Sequence, residues 1–446
     1  MGLFSSSKIP QPPLPNLAIH LHNPTDKVFR PDDVVTGHIE LTPVTSITPE
    51  AILVSLFGQS LIWHRTSSND MNNHTTYHHW RDNAPLFEVT EELVRSRDTK
   101  LRTLEPGRRY TFPFSFRFPR GTGNTRAGQY KQDSDERFTI YPHDLPPSFF
   151  HKGKFTDGTE PDWARIEYGV RVKLVCPGVG VVQGKQLVDF GATLPILFQP
   201  LNAHLQRQLS GPLTVVLHPK TFTLQSSTLT GQPPSQIGFR RSIHDRFSSA
   251  TPKLDFEAAL EIPDILSSGS EFRFRAFFTV ASKTANVVHI PAITFTILKL
   301  DLLDFTFYRA PRDREANTSR GGAHRRNKYE TLPAPDQPFE VAASEYEEFT
   351  ERKTHLNSLP DSATLELEEV PSYTPLADKK EVEMEQAKSC EVWFTARVPS
   401  VTPPSFRSFA ITRAYRVKTK LGLEVGGKKF ELEAESSIRE MGSMSN

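Results

Sequence analysis

Apolar and polar side chains alternate at every second position in the clearly patterned segments of this chain. In the segment 111–118 the even positions are all phenylalanine, whereas the odd positions are Thr, Pro, Ser and Arg. The same period of two runs through 166–176, 254–262, 272–280 and 409–425. Such alternation is typical of antiparallel strands that pack one face against a core. No long segment carries a helical stripe, so the sequence predicts an all-β protein made of antiparallel β-sandwiches.

Length and charge limit the class of protein further. A single core rarely grows beyond about 250–300 residues, so the 446 residues predict at least two domains. The 53 Lys and Arg nearly cancel the 52 Asp and Glu, which disfavours a globally basic nucleic-acid-binding protein. The two cysteines cannot form a disulfide framework, and no secretory hydrophobic segment opens the chain. We therefore expect a cytosolic protein that does not bind nucleic acid.

Composition changes abruptly between residues 309 and 388. A basic run that begins at Arg309 and ends at Lys328 is followed by an acidic, proline-punctuated stretch with few aliphatic residues. Such a segment buries too little apolar area to offset its chain entropy, so it is predicted to be disordered. The predicted division is a flexible tail at 1–16, a first β-sandwich at 17–197, a linker at 198–212, a second β-sandwich at 213–436 interrupted by the long disordered insertion 309–388, and a C-terminal tail at 437–446.

Six short motifs follow one another in the first half of the chain. They are Phe29–Ile39, Ile52–Gly58, Leu104–Gly107, Tyr110–Pro119, Leu145–Phe149 and Ile166–Val172. In this order and spacing they resemble the N-terminal sandwich of the arrestin family, in particular the fungal arrestin-like (alpha-arrestin) trafficking adaptors. The second half resembles the arrestin C-terminal sandwich more loosely, at 254–263 and 409–425.

Asp32 is a departure from the family pattern. The family usually has glycine at this position of the first strand turn. Aspartate tolerates the left-handed backbone conformation better than most residues, so we expect the turn to form.

The resemblance implies a non-enzymatic adaptor that needs no cofactor. Two arrestin-like sandwiches would bind cytoplasmic segments of membrane transporters or receptors and recruit a WW-domain HECT-type ubiquitin ligase for ubiquitin-dependent endocytosis and sorting. The alternative with the same fold is a retromer-type sorting subunit or a signalling scaffold that recruits no ligase. Either protein would be cytoplasmic and peripherally associated with the plasma membrane or endosomes.

The segment Val370, Pro371, Ser372 and Tyr373 is the candidate ligase-binding motif. WW domains bind extended proline-containing peptides, in which proline lies between aromatic rings and tyrosine fills a second pocket. The usual ligand is Pro-Pro-x-Tyr, and Val370 replaces its first proline. Fungal arrestin-like adaptors carry similar Val-Pro-x-Tyr segments. An incidental Pro-x-Tyr sequence in a loop is the alternative interpretation.

Gly2 is a candidate lipidation site. Met1 to Ser6 fits the N-myristoylation pattern, and Lys8 follows it. The alternative is an ordinary solvated tail. One acyl chain binds membranes only marginally, so a second attraction is needed, and the basic run 309–328 could supply it.

No metal or catalytic site is predicted. A stretch with His64, His74, His78 and His79 is rich in Asn, Thr and Ser and is interpreted as a long hairpin loop without a complete ligand set. The segment 121–128 lacks the glycine spacing of a phosphate-binding loop, and no nucleophile or paired-carboxylate motif is present.

Arg413 falls on the apolar side of the last long patterned segment. A charge at such a position must be paired or lie at the rim, because burying it alone is costly. We expect it at an exposed edge.

Overall fold

Strands dominate the structure, a computed structural model, which confirms the predicted all-β class. The described residues are 14–69, 75–95, 103–152, 162–175, 181–182, 185–186, 190–200, 215–230, 251–312, 345–356, 364–365, 368–371 and 386–442. Within these ranges no helix is long and apolar enough to cross a membrane.

The strands of the N-terminal half are β1 Asn16–Leu21, β2 Val28–Phe29, β3 Val34–Thr42, β4 Ala51–Asn69, β5 Thr75–Arg95, β6 Tyr110–Arg117, β7 Phe149–Lys152, β8 Trp163–Val175, β9 Val181–Val182, β10 Lys185–Gln186 and β11 Phe190–Phe198. The later strands are β12 Val215–Gln225, β13 Lys253–Pro263, β14 Ile265–Ser267, β15 Glu271–Lys283, β16 Ile293–Pro311, β17 Glu345–His355, β18 Thr364–Leu365, β19 Glu368–Pro371, β20 Gln386–Arg397, β21 Phe406–Arg407, β22 Ile411–Val425, β23 Lys428–Ile438 and β24 Glu440–Gly442. A short 3-10 helix lies at Ser227–Thr230.

The chain forms two compact units, and neither is one continuous stretch. The first contains Met1–Leu201, Phe307–Phe349 and Phe406–Thr412, and the second contains Asn202–Thr306, Thr350–Ser405 and Arg413–Asn446. This grouping differs from the linear division at 17–197 and 213–436, because two later segments belong to the first unit.

Besides the short pairing of β9 with β10, the first unit contains two sheets that share one core. The small sheet has the strand order β1-β3-β6, and the large one has the order β2-β11-β8-β4-β5, with β7 beside β8. Ile39 of β3 pairs with Phe112 of β6, and the even-numbered phenylalanines of 111–118 face the core as predicted. Gly58 leaves room for the Tyr168 ring, since a Cβ there would lie 2.6 Å from that ring.

The later segments of the first unit contribute directly to its core. Tyr308 and Phe409 are both fully buried in the same hydrophobic cluster as the β3 and β6 side chains. The Tyr308 hydroxyl donates a hydrogen bond to Asp162, 2.9 Å away, and Asp162 lies 2.7 Å from the His64 ring. The first sandwich is therefore completed by residues that lie more than one hundred positions after its last predicted strand.

The second unit has its own core between two groups of strands. One sheet has the order β12-β13-β15-β20-β19, and the other includes β17, β16, β22 and β23. Phe256, Phe274, Phe394 and Tyr415 are buried in this core. The closing ribbon predicted at 409–425 is β22, which pairs antiparallel with β23.

Strands also occur within the segment 309–388, where disorder is predicted. They are β17, β18 and β19, and the residues between them lie outside the described part of the chain. Strand β17 contains Tyr346, Phe349, Thr350 and Thr354, which favour extended backbone despite the neighbouring charges. A low content of aliphatic residues alone therefore does not identify every residue of this segment as unstructured.

Candidate functional site

The predicted ligase-binding motif begins in an edge strand. Val370 and Pro371 are the last residues of β19, where they pair with Ala387 and Gln386 of β20. Ser372 and Tyr373 lie outside the described residues. β19 is the last strand in its sheet order, so within the described part of the chain no strand pairs with its other side.

Proline suits this position in β19. It has no backbone N–H to donate to a ladder, and within sheets it is found mainly on edge strands. The polyproline conformation that a WW domain binds is also extended, so Val370 and Pro371 would stay in the extended region of backbone angles in both states. To bind a WW domain, however, both residues would have to separate from β20 and lose the backbone hydrogen bonds between β19 and β20.

The predicted membrane-binding residues are only partly described. Gly2 lies outside the described residues, as does the basic run from Arg314 onward. Arg309 is fully buried in the first unit. Its guanidinium donates hydrogen bonds to the carbonyl oxygens of Phe409 and Gln132, at 3.0 and 3.1 Å. Arg309 is therefore a core residue and contributes no charge to the surface. The prediction that the basic run binding anionic lipids begins at Arg309 is corrected accordingly.

A buried polar network lies beside Arg309. The Arg126 guanidinium donates to Asp82 Oδ1 at 2.6 Å, and the Tyr130 hydroxyl donates to Asp82 Oδ2 at 2.7 Å. The Arg309 guanidinium lies 3.8 Å from the Tyr130 ring centroid, a cation–π contact. Burial and the Asp82 charge raise the pKa of Tyr130. Burial alone would lower the pKa of Arg126, but Asp82 and Tyr130 raise it, and the net direction is upward.

Arg413 is largely buried, so the expectation of an exposed edge is wrong. Its guanidinium forms two hydrogen bonds with the Asp304 carboxylate, and both side chains are 13% exposed. Burial opposes the charge on Arg413, yet the hydrogen bonds to Asp304 keep its pKa above the usual value. The sequence left two arrangements for this charge, an exposed rim position or pairing with an opposite charge, and Arg413 is paired with Asp304.

The described part of the histidine-rich stretch forms strands, which corrects its interpretation as a loop. β4 and β5 pair from Ala51 to Asn69, so His64 lies opposite Trp80 and Thr66 opposite His78. His74 lies outside the described residues. The hairpin is stabilised by cation–π contacts, including one of 4.2 Å between Arg65 and Tyr77. Sequence alone missed these strands because polar residues on both faces hide the period of two.

The glycine-containing segment 121–128 has a structural role. Gly123 donates its backbone N–H to the carbonyl of Leu86, and the Asn124 side chain donates to the carbonyl of Pro85. These bonds hold the segment against the middle of β5, so Gly123 and the Asn124 amide serve the fold.

An aromatic and cationic surface on the second unit was not predicted. Trp393 is 45% exposed on β20, with the guanidinium carbons of Arg273 and Arg275 at 4.8 and 5.3 Å from its ring. Arg275 also pairs with Glu261 and Glu391, at 2.5 and 2.8 Å. Exposed tryptophan and arginine are enriched in protein-binding surfaces. The alternation in 272–280 is the signal that could have found this face, since it places the arginines opposite the buried phenylalanines.

Comparison with known families adds one finding. Residues 17–131 match the family model of the N-terminal domain of arrestin, also called S-antigen. The two sheets, the core phenylalanines and this match together define the region as an arrestin N-terminal domain. The predicted arrestin resemblance is thus confirmed for residues 17–131, and the fungal subtype remains a prediction. No curated protein gives a significant sequence match.

Proposed function

We propose that this protein is a non-enzymatic arrestin-like adaptor that joins membrane cargo to a ubiquitin ligase. The observation that carries the proposal is the arrestin N-terminal domain at residues 17–131. Its cargo would be cytoplasmic segments of transporters or receptors, and its ligase a WW-domain HECT-type enzyme. Tethering raises the effective concentration of the ligase near lysines of the cargo without new chemistry by the adaptor. The outcome would be ubiquitin-dependent endocytosis and sorting.

The ligase would bind Val370 to Tyr373. The placement of Val370 and Pro371 at the end of a four-residue strand supports this, because only four residue pairs have to separate from β20. Only this part of the region 309–388 has proline two residues before a tyrosine. A WW groove needs that spacing, since its aromatic slot and its tyrosine pocket are adjacent.

The test is isothermal titration of the full chain with a purified WW domain of a HECT-type ligase. Tyr373→Ala is expected to weaken binding at least tenfold, whereas Tyr346→Ala, a tyrosine without the upstream proline, is the matched control and leaves affinity unchanged. Equal affinities for both variants would remove the motif from the proposal. They would favour the retromer-type or scaffold alternative.

Membrane association would need more than one weak contact. A myristoyl group on Gly2 gives only marginal binding, on the order of 10⁴ M⁻¹. The basic residues from Arg314 to Lys328 would add attraction to anionic lipids, and bound cargo would be a third anchor. The protein would then be cytoplasmic and peripheral to the plasma membrane or endosomes. Intact-mass measurement after production in a myristoylating host tests this, and Gly2→Ala is the control that abolishes the added mass.

A further inference from the structure

Three histidines and a glutamate cluster on the outer face of the β1-β3-β6 sheet. His20 of β1 lies opposite His38 of β3. Side chains at alternate positions share a face, so His22 and Glu40 project to the same side. One possible ligand atom from each of His20, His38 and Glu40 lies within 4.8 Å of the other two. The inner face of the same strands packs into the core, so the cluster is held by a buried framework.

The separations suit a metal ion of tetrahedral preference. His20 Nε2 lies 4.0 Å from Glu40 Oε2, and the His20 and His38 rings stack at 5.1 Å between centroids. Ligand atoms around zinc, with bonds of about 2.0–2.1 Å, are about 3.3 Å apart. Closing the 4.0 Å gap therefore needs a movement of about 0.7 Å, which side-chain rotation of two surface residues can supply.

His22 is placed to orient His38. His22 Nε2 and His38 Nδ1 are 2.9 Å apart, so one nitrogen donates and the other accepts. When His38 Nδ1–H donates to His22, the lone pair of His38 Nε2 is available to a metal. Metal-binding histidines commonly donate their second N–H in this way, which fixes the tautomer and the ring orientation.

Glu40 keeps one oxygen available. Arg109 Nε contacts Glu40 Oε1 at 3.3 Å, and the other carboxylate oxygen, Oε2, is the one that approaches His20. The Arg109 side chain is 71% exposed, so its ion pair is weak and competes little with a bound cation. Its contact orients the carboxylate.

Gly37 brings the two strands close enough for the cluster to form. A Cβ at this position would lie 2.3 Å from the carbonyl oxygen of His20 and 2.7 Å from the Phe114 ring. The glycine therefore permits the close pairing of β1 with β3 that sets the His20 and His38 rings side by side.

We propose that His20, His38 and Glu40 bind a zinc ion, with His22 as a positioning residue. Two imidazoles and a carboxylate are ligands that zinc accepts in proteins, and three protein ligands leave a fourth position for water or for a side chain of a partner. The ion joins the edge strand β1 to β3. The pattern His-x-His paired with His-x-Glu was available in the sequence, but only the register brings its halves together.

Titration of the full-length protein with zinc chloride against a chromophoric zinc indicator tests the proposal. The parent is expected to bind one zinc per chain at this site. His38→Gln and Glu40→Gln are each expected to weaken that binding at least tenfold, because each removes one ligand from three. Loss of the positioning contact in His22→Phe is expected to weaken it by about 10-fold to 100-fold. Circular dichroism of each variant checks that the sheet is intact.

Two controls separate ligation from other effects. Arg109→Gln removes the same ion pair as Glu40→Gln but keeps the carboxylate, so zinc binding is expected to persist. The double variant of His78→Gln and His79→Gln removes two imidazoles of β5, in the other sheet of the first unit, and is also expected to bind zinc normally. No zinc binding by the parent would overturn the proposal. Weaker zinc binding by the β5 double variant would also overturn it. An equal loss of zinc affinity in Arg109→Gln and Glu40→Gln would do the same.

Discussion

Asp32 shows how far a single residue can be predicted from sequence. It has a φ of 67° and is the only non-glycine residue in the described ranges with a positive φ. The expected left-handed turn is therefore confirmed. Its carboxylate accepts a hydrogen bond from Arg120 at 2.7 Å. Aspartate adopts the left-handed conformation more readily than most residues, because its short polar side chain can hydrogen-bond to nearby backbone. The bond from Arg120, 88 positions away in the sequence, is a tertiary contact in addition. The burial of the Arg413 side chain was harder to predict, because its ion-pair partner Asp304 lies 109 positions away in the sequence.

The buried pair of Asp82 and Arg126 gives a prediction of stability at the residue scale. Asp82→Asn leaves the Arg126 guanidinium, 6% exposed, without its carboxylate. Breaking a buried ion pair costs about 3–5 kcal/mol, so the free energy of unfolding should fall by that amount. Glu435→Gln breaks the exposed pair with Arg416 and should cost about 0–1 kcal/mol. Denaturant unfolding of both variants measures the difference, and similar losses would contradict it.

His143 predicts a pH dependence of stability. Burial lowers its pKa below 6.5, and its ring packs edge-on against Phe409 at 4.7 Å between centroids. The folded protein therefore binds this proton less readily than the unfolded chain. The contribution to stability is complete above pH 6.5 and is lost as the pH falls through the lower folded pKa.

Unfolding free energies of the parent and of His143→Gln, measured across this range, test the assignment. The parent should lose more stability than the variant as the solution is acidified below pH 6.5. Identical slopes would show that the proton uptake belongs to other groups.

At the scale of elements, the sequence correctly predicted those strands that have one apolar face. β6, β13, β15 and β22 follow the alternation directly, because burial on one side requires it. The hairpin of β4 and β5 extends to residues 69 and 75 through polar sequence, where cross-strand cation–π contacts replace the hydrophobic signal. Of the candidate site, sequence found the Val-Pro-x-Tyr motif but not its pairing with β20, because a strand partner cannot be inferred from composition.

The pairing of β19 predicts that the ligase motif is partly masked in the whole protein. Leaving β20 costs backbone hydrogen bonds along the four residue pairs of β19 and β20. One net bond contributes about 0.5–1.5 kcal/mol, so the loss of only two of them costs about 1–3 kcal/mol. A synthetic peptide spanning 366–376 should therefore bind the WW domain at least roughly 5- to 150-fold more tightly than the full chain. Fluorescence anisotropy with the peptide and the protein as competitors measures the ratio. A ratio near one would mean that the pairing does not compete with binding.

At the scale of the whole molecule, the first unit depends on segments from the second half of the chain. Tyr308, Phe409 and Ile411 are fully buried in its core. Burying one large apolar side chain contributes about 1.5–3 kcal/mol, so losing three removes about 5 kcal/mol or more, comparable with the stability of a whole domain. A fragment of residues 1–212 should therefore lack a cooperative thermal transition and bind a hydrophobic dye. A cooperative transition in the fragment at the temperature of the full chain would contradict this.

The central claim, an adaptor that brings a ubiquitin ligase to membrane cargo, is tested most directly by proximity labelling in the native cell. A labelling enzyme would be fused to the parent, to Tyr373→Ala and to the control Tyr346→Ala. The parent and the control should label a WW-domain HECT-type ligase together with transporters or receptors, whereas Tyr373→Ala should keep the cargo and lose the ligase. Labelling of cargo without any such ligase by the parent would contradict the account.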